Sequence, residues 1–124
     1  MAYKADIEKE TLENEDYRRI LHTGKMMQLV VMSLKPGEEI PAEVHHDIDQ
    51  FFRVEKGKAL IRVDDEKYEL KDDDIIIIPA GTEHQVLNTG EDDLKLYTIY
   101  TPPEHPDGTV HKTKAEADAD EHHH

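Results

Sequence analysis

Short apolar blocks separated by turn-forming residues set the rhythm of this chain. The blocks fall at residues 20–21, 28–34, 51–54, 59–63, 75–78, 85–87 and 94–100, and are rich in Val, Ile, Leu, Phe and Tyr. Between them stand Thr23-Gly24-Lys25, Lys35-Pro36-Gly37, Glu55-Lys56-Gly57, Asp64-Asp65-Glu66, Pro79-Ala80-Gly81 and Thr89-Gly90-Glu91. Their Gly, Pro and Asp residues adopt turn dihedrals at little cost and so reverse the chain. Strand plus turn recurs about every ten residues, which predicts an all-β sandwich or barrel. The four successive isoleucines at 75–78 read as a strand buried on both faces.

Two segments break this rhythm. Residues 6–16 are charged and read as an edge strand or an irregular arm, whereas residues 113–124 are polar, Ala-rich and acidic, and read as a frayed helix or disorder. His122, His123 and His124 read as the remnant of a purification tag and are set aside from the chemistry. A length of 124 residues suits one domain. The expected plan is an N-terminal arm and edge strand over 1–27, a barrel core over 28–101, and a C-terminal extension over 102–124, partly disordered or tag.

Composition narrows the chemistry. The chain has no cysteine, so disulfides and thiolate-bound metals are excluded and any metal must sit on nitrogen and oxygen. With 29 Asp plus Glu against 15 Lys plus Arg, the formal charge of −14 repels phosphate backbones and anionic lipid, so neither nucleic acid nor a membrane is an expected partner. No signal-like apolar run opens the chain and the block at 75–78 is far below spanning length, which predicts a soluble, cytoplasmic protein.

Strand parity then gathers the candidate ligands, because residues two apart share a face. Glu43 and His45 share one face, with His46 opposite unless the register shifts and His46 takes the place of His45. After a turn at Asp47-Ile48-Asp49, Gln50, Phe52 and Val54 share a face, and beyond the Pro79-Ala80-Gly81 corner so do His84, Val86 and Asn88. Folded against one another, these strands can bring a carboxylate, two imidazoles and an amide together. Phe52, Val54, Ile61 and Val86 then form either an apolar wall around the site or plain barrel packing. Arg53 points away from the site, towards a surface carboxylate or a subunit interface. Asn88 reads as a turn residue, and His22, His105 and His111 as surface residues, although Glu104-His105-Pro106 could fold over the barrel mouth.

The run Pro79-Ala80-Gly81-Thr82-Glu83-His84-Gln85-Val86-Leu87-Asn88 resembles the second sequence motif of the cupins, Pro-x-Gly-x-x-His-x-x-x-Asn, with Asp73 in place of its leading glycine. The stretch from Gly37 to Gly57 has the total spacing of the first cupin motif. There Glu43 stands where the first histidine belongs, His45 is the second, and Gln50 replaces the glutamate. The resemblance covers about residues 28 to 100 and implies an antiparallel double-stranded β-helix, a jelly-roll barrel, usually homodimeric, with a divalent transition metal (Mn, Fe, Co, Ni or Zn) on Glu43, His45, Gln50 and His84. The two departures compensate in charge. Three imidazoles and a carboxylate on a divalent ion leave one positive charge, and so do two imidazoles, a carboxylate and an amide. Such a site suits a metal-dependent enzyme of oxygenase or isomerase type acting on a small polar metabolite through an open coordination position. The rival expectation is a non-catalytic module that holds a metal or small ligand. No general base is evident, and the fold alone does not choose between these functions.

Overall fold

The computed structural model describes residues 1–121; the terminal His122, His123 and His124, read above as a tag remnant, lie outside the described residues. The chain forms α1 (Ile7–Glu13), β1 (Arg18–Thr23), β2 (Gln28–Leu34), β3 (Glu39–Val44), β4 (Asp49–Lys56), β5 (Ala59–Val63), β6 (Glu66–Leu70), β7 (Ile75–Ile78), β8 (Glu83–Asn88), β9 (Leu94–Thr101), β10 (Val110–His111) and α2 (Lys114–Glu121). The strands make a six-stranded sheet, in the order β10-β1-β2-β9-β4-β7, and a four-stranded sheet, in the order β3-β8-β5-β6. Every pairing is antiparallel.

Strands β4, β8 and β9 alternate as the sequence pattern requires. In β9 the residues Leu94, Leu96, Thr98 and Tyr100 are buried and their neighbours are not. Beside them in the same sheet, Val30, Met32 and Leu34 of β2 and Phe52 and Val54 of β4, and across from them Ile61 of β5 and Val86 of β8, fill the space between the sheets with no more than traces of exposure. Area removed from water by these side chains is the main force closing the barrel.

Besides the two-residue β10, two strands escaped the apolar pattern because they are mostly polar. Glu66–Leu70 is an edge strand with only Leu70 buried, so no apolar alternation marks it. Glu39–Val44 carries Pro41, which removes a ladder donor, and its pairing with β8 slips between Ile40 and Glu43. Ile75–Ile78 is a correction of a different kind. It is the sheet edge rather than a doubly buried strand, with Ile78 buried and Ile75 and Ile77 exposed by 51% and 64%.

The ends are also more ordered than their composition suggested. The charged 6–16 segment holds a helix, capped by the Asp6 carboxylate accepting from the Lys9 amide, rather than a strand or irregular arm. Strand β1 lies inside the sheet, because β10 pairs on its outer side. Helix α2 seats Ala117 in the core.

The motif boundaries have a backbone cause. Gly57 has φ of +115°, and a Cβ there would meet the Leu94 Cα at 3.2 Å, so both conformation and space call for glycine. Asp73, in place of the second motif's glycine, adopts φ of 72°, a left-handed conformation that Asp tolerates better than most residues. Its carboxylate accepts from Arg53 Nη2 at 3.0 Å. Arg53 therefore faces the surface, as parity required.

Candidate metal centre

The β3 bulge sets the site. Ile40 points inward, and with strict alternation Ala42 would follow it while Glu43 faced solvent. The extra residue between the Ile40↔Val86 and Glu43↔His84 pairs reverses the phase, leaving Ala42 exposed and Glu43 turned inward. His45 follows on the same side and His46 is exposed, which resolves the register between the two histidines. The Gly81 amide donates to the His45 carbonyl at 2.9 Å, and the Ala80 amide to Asp49 Oδ1 at 2.8 Å. These bonds tie the Pro-x-Gly corner to His45, just past the end of β3, and to β4, which carries Gln50.

Glu43, His45 and His84 converge. His45 Nε2 is 3.1 Å from Glu43 Oε1, His84 Nε2 is 3.9 Å from the same oxygen, and one ligand atom from each residue lies within 4.8 Å of the other two. Donors bound to one first-row ion at about 2.0–2.2 Å stand at most about 4.4 Å apart, which the 3.1 and 3.9 Å separations satisfy, so the three could hold a metal ion. His84 is 1% exposed, yet neither ring nitrogen makes a well-aligned hydrogen bond, the Thr82 backbone acting on the ring only weakly, and Phe52 packs edge-on at 6.2 Å between ring centroids. Buried imidazole nitrogens are rarely left unpaired without a reason. Gln50, also buried, donates from Nε2 to Thr98 Oγ1 at 3.0 Å, and its Oε1 has no partner.

Electrostatics follow this geometry. Burial pushes the Glu43 carboxyl up, but the His45 hydrogen bond and the nearby His45, His84 and Arg18 charges more than offset it and hold the group below the ordinary carboxylate value. Burial pushes the His45 imidazole down, and Glu43, with help from Glu104, outweighs that and leaves it raised. His84 is lowered, chiefly by desolvation, which favours the uncharged ring that a metal requires.

Past the last long strand, the segment at 104–105 folds over this end of the barrel. Gln28 clamps it: the Glu104 and His105 amides donate to Gln28 Oε1 at 3.2 and 3.0 Å, and Gln28 Nε2 donates to the His105 carbonyl at 2.8 Å. Glu104 Oε2 thereby lies 3.6 Å from His45 Nδ1, the side from which a carboxylate orients a metal-bound imidazole. His105 is half-buried rather than a surface residue, with Nε2 at 3.3 Å from the Tyr100 hydroxyl, and Tyr100 packs edge-on against His45. Burial keeps the Tyr100 phenol protonated well above its usual range. Tyr100 was not identified from the sequence, although its parity with Leu94, Leu96 and Thr98 was the available signal.

Burial also pushes the His105 imidazole down from 6.5 to about 3. Between those values the unfolded chain binds a proton there that the folded chain refuses, so stability rises with pH across this window and is lost as pH falls below 6.5. His105→Gln is expected to flatten that slope, as read from urea midpoints between about pH 4.5 and 7. An unchanged slope would assign the acid sensitivity elsewhere.

Residues 30–100 match the Cupin domain family, and the chain belongs to it. It is 46% identical over 125 residues to the uncharacterized protein YrkC of Bacillus subtilis, covering 96% of this chain and 67% of YrkC. The crystal structure of BH2720 from Bacillus halodurans superposes with a TM-score of 0.94 at 47% identity, covering 96% of this chain and 95% of BH2720. A more distant relative, quercetin 2,3-dioxygenase of Bacillus subtilis, is 37% identical over 62 residues, which are 50% of this chain and 18% of that enzyme. Among the described residues no helix is long and apolar enough to cross a membrane.

Proposed function

We propose that this chain binds one divalent transition ion through Glu43, His45 and His84, with Gln50 Oε1 as a weaker fourth ligand, and acts through it on a small polar metabolite. The observation that carries this reading is the buried His84 ring, which makes no well-aligned hydrogen bond and is turned towards the Glu43–His45 pair. A two-histidine, one-carboxylate set favours Fe(II) and its neighbours, and leaves positions at which a substrate oxygen can bind; the ion would supply Lewis acidity or an oxygen-binding centre. Glu104 orients His45, and the Tyr100–His105 pair supplies a protonated hydroxyl on the same side. The relationship to a dioxygenase supports oxygenase chemistry over the isomerase alternative.

The test is turnover. Protein loaded anaerobically with Fe(II) is mixed with a panel of small hydroxy acids, keto acids and phenols, with oxygen uptake and product formation followed against metal-free protein. Metal-dependent conversion is expected. Saturable binding with no conversion of any panel member would favour the non-catalytic binding module.

A homodimer forms part of the same proposal. On the outer face of the six-stranded sheet, Ile77 stands beside Phe51 and Ile99, and Ile75 beside Arg53 and Tyr97, giving an apolar stripe at an open edge. Light scattering at micromolar concentration is expected to report twice the 14.3 kDa chain mass. A monomeric mass would remove the dimer.

A further inference from the structure

The most unusual group in the barrel interior is a cation outside the metal cluster. Along β1, Arg18 is buried, Arg19 exposed and Ile20 buried, so Arg18 points into the barrel while Arg19 pairs with Asp16 outside. Arg18 is 2% exposed and is the only Arg or Lys among the buried residues described. Taking a guanidinium out of water costs several kcal/mol unless a counter-charge and hydrogen bonds replace the solvent. Here they do so only in part. Nη1 donates to His111 Nδ1 at 3.2 Å, the guanidinium carbon lies 5.4 Å from the Tyr17 ring centroid, and Nε has no partner. No carboxylate among the described residues forms an ion pair with Arg18 within 4.0 Å.

The guanidinium is nevertheless held in position. An arginine cannot accept a hydrogen bond, so His111 Nδ1 must accept and its ring carries the proton on Nε2. That nitrogen donates to Asp120 Oδ2 of α2 at 2.9 Å. Strand β10 and helix α2, the elements that composition had marked as tail, thus support one buried cation. Arg18 pairs with Met32 of β2 on the inward face of the six-stranded sheet, the face that also carries Gln28, Tyr100 and Gln50, so its charge enters the same interior as the metal centre.

We propose that Arg18 is the anchor for a carboxylate on the small molecule that reaches the Glu43–His45–His84 cluster, so that the barrel selects carboxylic acids over neutral compounds. Placing the rest of that molecule at the metal depends on the function proposed above, whereas the anchor itself needs no ion. A single guanidinium whose buried Nε–H has no partner matches a monoanion that can accept two parallel hydrogen bonds. A phosphate dianion would bring more charge than one buried cation balances.

The probes are acetate, its neutral isostere acetamide, and inorganic phosphate, added to metal-free full-length protein while the Arg18 Nε–Hε signal is followed by NMR. Acetate is expected to shift that signal saturably, acetamide to leave it unmoved, and phosphate to bind more weakly than acetate. Arg18→Met is expected to weaken acetate binding at least about tenfold, measured by competition at ligand signals. Arg18→Lys keeps the charge without the fork and is expected to fall between the two. It also serves if Arg18→Met does not fold. Equal responses to acetate and acetamide, or acetate binding unchanged in either variant, would overturn the anchor. A tighter response to phosphate would overturn its assignment to carboxylates. An Arg18-dependent acetate response in a protein that takes up no metal would sustain the anchor and remove the proposed function, while metal uptake without that response would do the reverse.

Discussion

Glu43→Gln is expected to weaken divalent-metal binding by about a hundredfold or more, beyond the tenfold to hundredfold that loss of an outer-shell partner costs. Glu43 is the only carboxylate in the cluster, and its oxygen is the atom shared by the 3.1 and 3.9 Å contacts to the two imidazoles. The amide keeps the shape and forfeits the Coulomb attraction to the ion. Gln50→Ala removes only a neutral oxygen whose amide also serves Thr98, and is expected to cost about tenfold or less. The double exchange Glu43→His with Gln50→Glu restores the common cupin ligand set at unchanged net charge and is expected to bind at least as well as the natural sequence. Calorimetric titration with Mn(II) and Zn(II) at one pH checks all three, since protons compete for the same ligands. Normal binding by Glu43→Gln together with none by Gln50→Ala would mean that Glu43 is not the carboxylate ligand.

His84→Ala is expected to abolish metal binding and leave a folded barrel. The ring lies in the core, where truncation leaves a cavity, but it also removes two buried nitrogens that make no well-aligned hydrogen bond in the metal-free protein. Those effects oppose each other, so the metal-free variant should differ in stability from the parent by no more than about 1–2 kcal/mol. Metal at a hundred times its dissociation constant stabilises the parent by about 2.7 kcal/mol and should not stabilise the variant. Circular dichroism melts with and without added ion separate the cases. A variant that is unfolded without metal would make His84 a structural residue of the core.

Which parts of this were legible in the sequence follows from where the burial signal lies. Strands such as Asp49–Lys56 and Leu94–Thr101 bury alternate side chains, most of them large and apolar, and their pattern was visible. The polar edge strand Glu66–Leu70 buries one residue, and β10 is two residues long and held by pairing with β1, so neither leaves a pattern to read. The isoleucines at 75–78 misled because four apolar residues fit a buried strand and an apolar outer face equally well.

Parity brought Glu43, His45, Gln50 and His84 towards one place, but it could not foresee the bulge that turns Glu43 inward after a buried Ile40. Arg18 was invisible for a related reason. In Tyr17-Arg18-Arg19-Ile20, nothing distinguishes the arginine that enters the barrel from its solvent-facing neighbour until β1 has found its register with β2 and β10.

Elemental analysis of protein lacking His122, His123 and His124 tests the metal centre most directly, because the purification-tag reading of those residues would otherwise confound the count. About one divalent ion per chain is expected after exposure to Mn, Fe, Co, Ni or Zn, and none in His84→Ala treated identically. A stoichiometry near zero with every one of these ions would contradict a metal site at Glu43, His45 and His84.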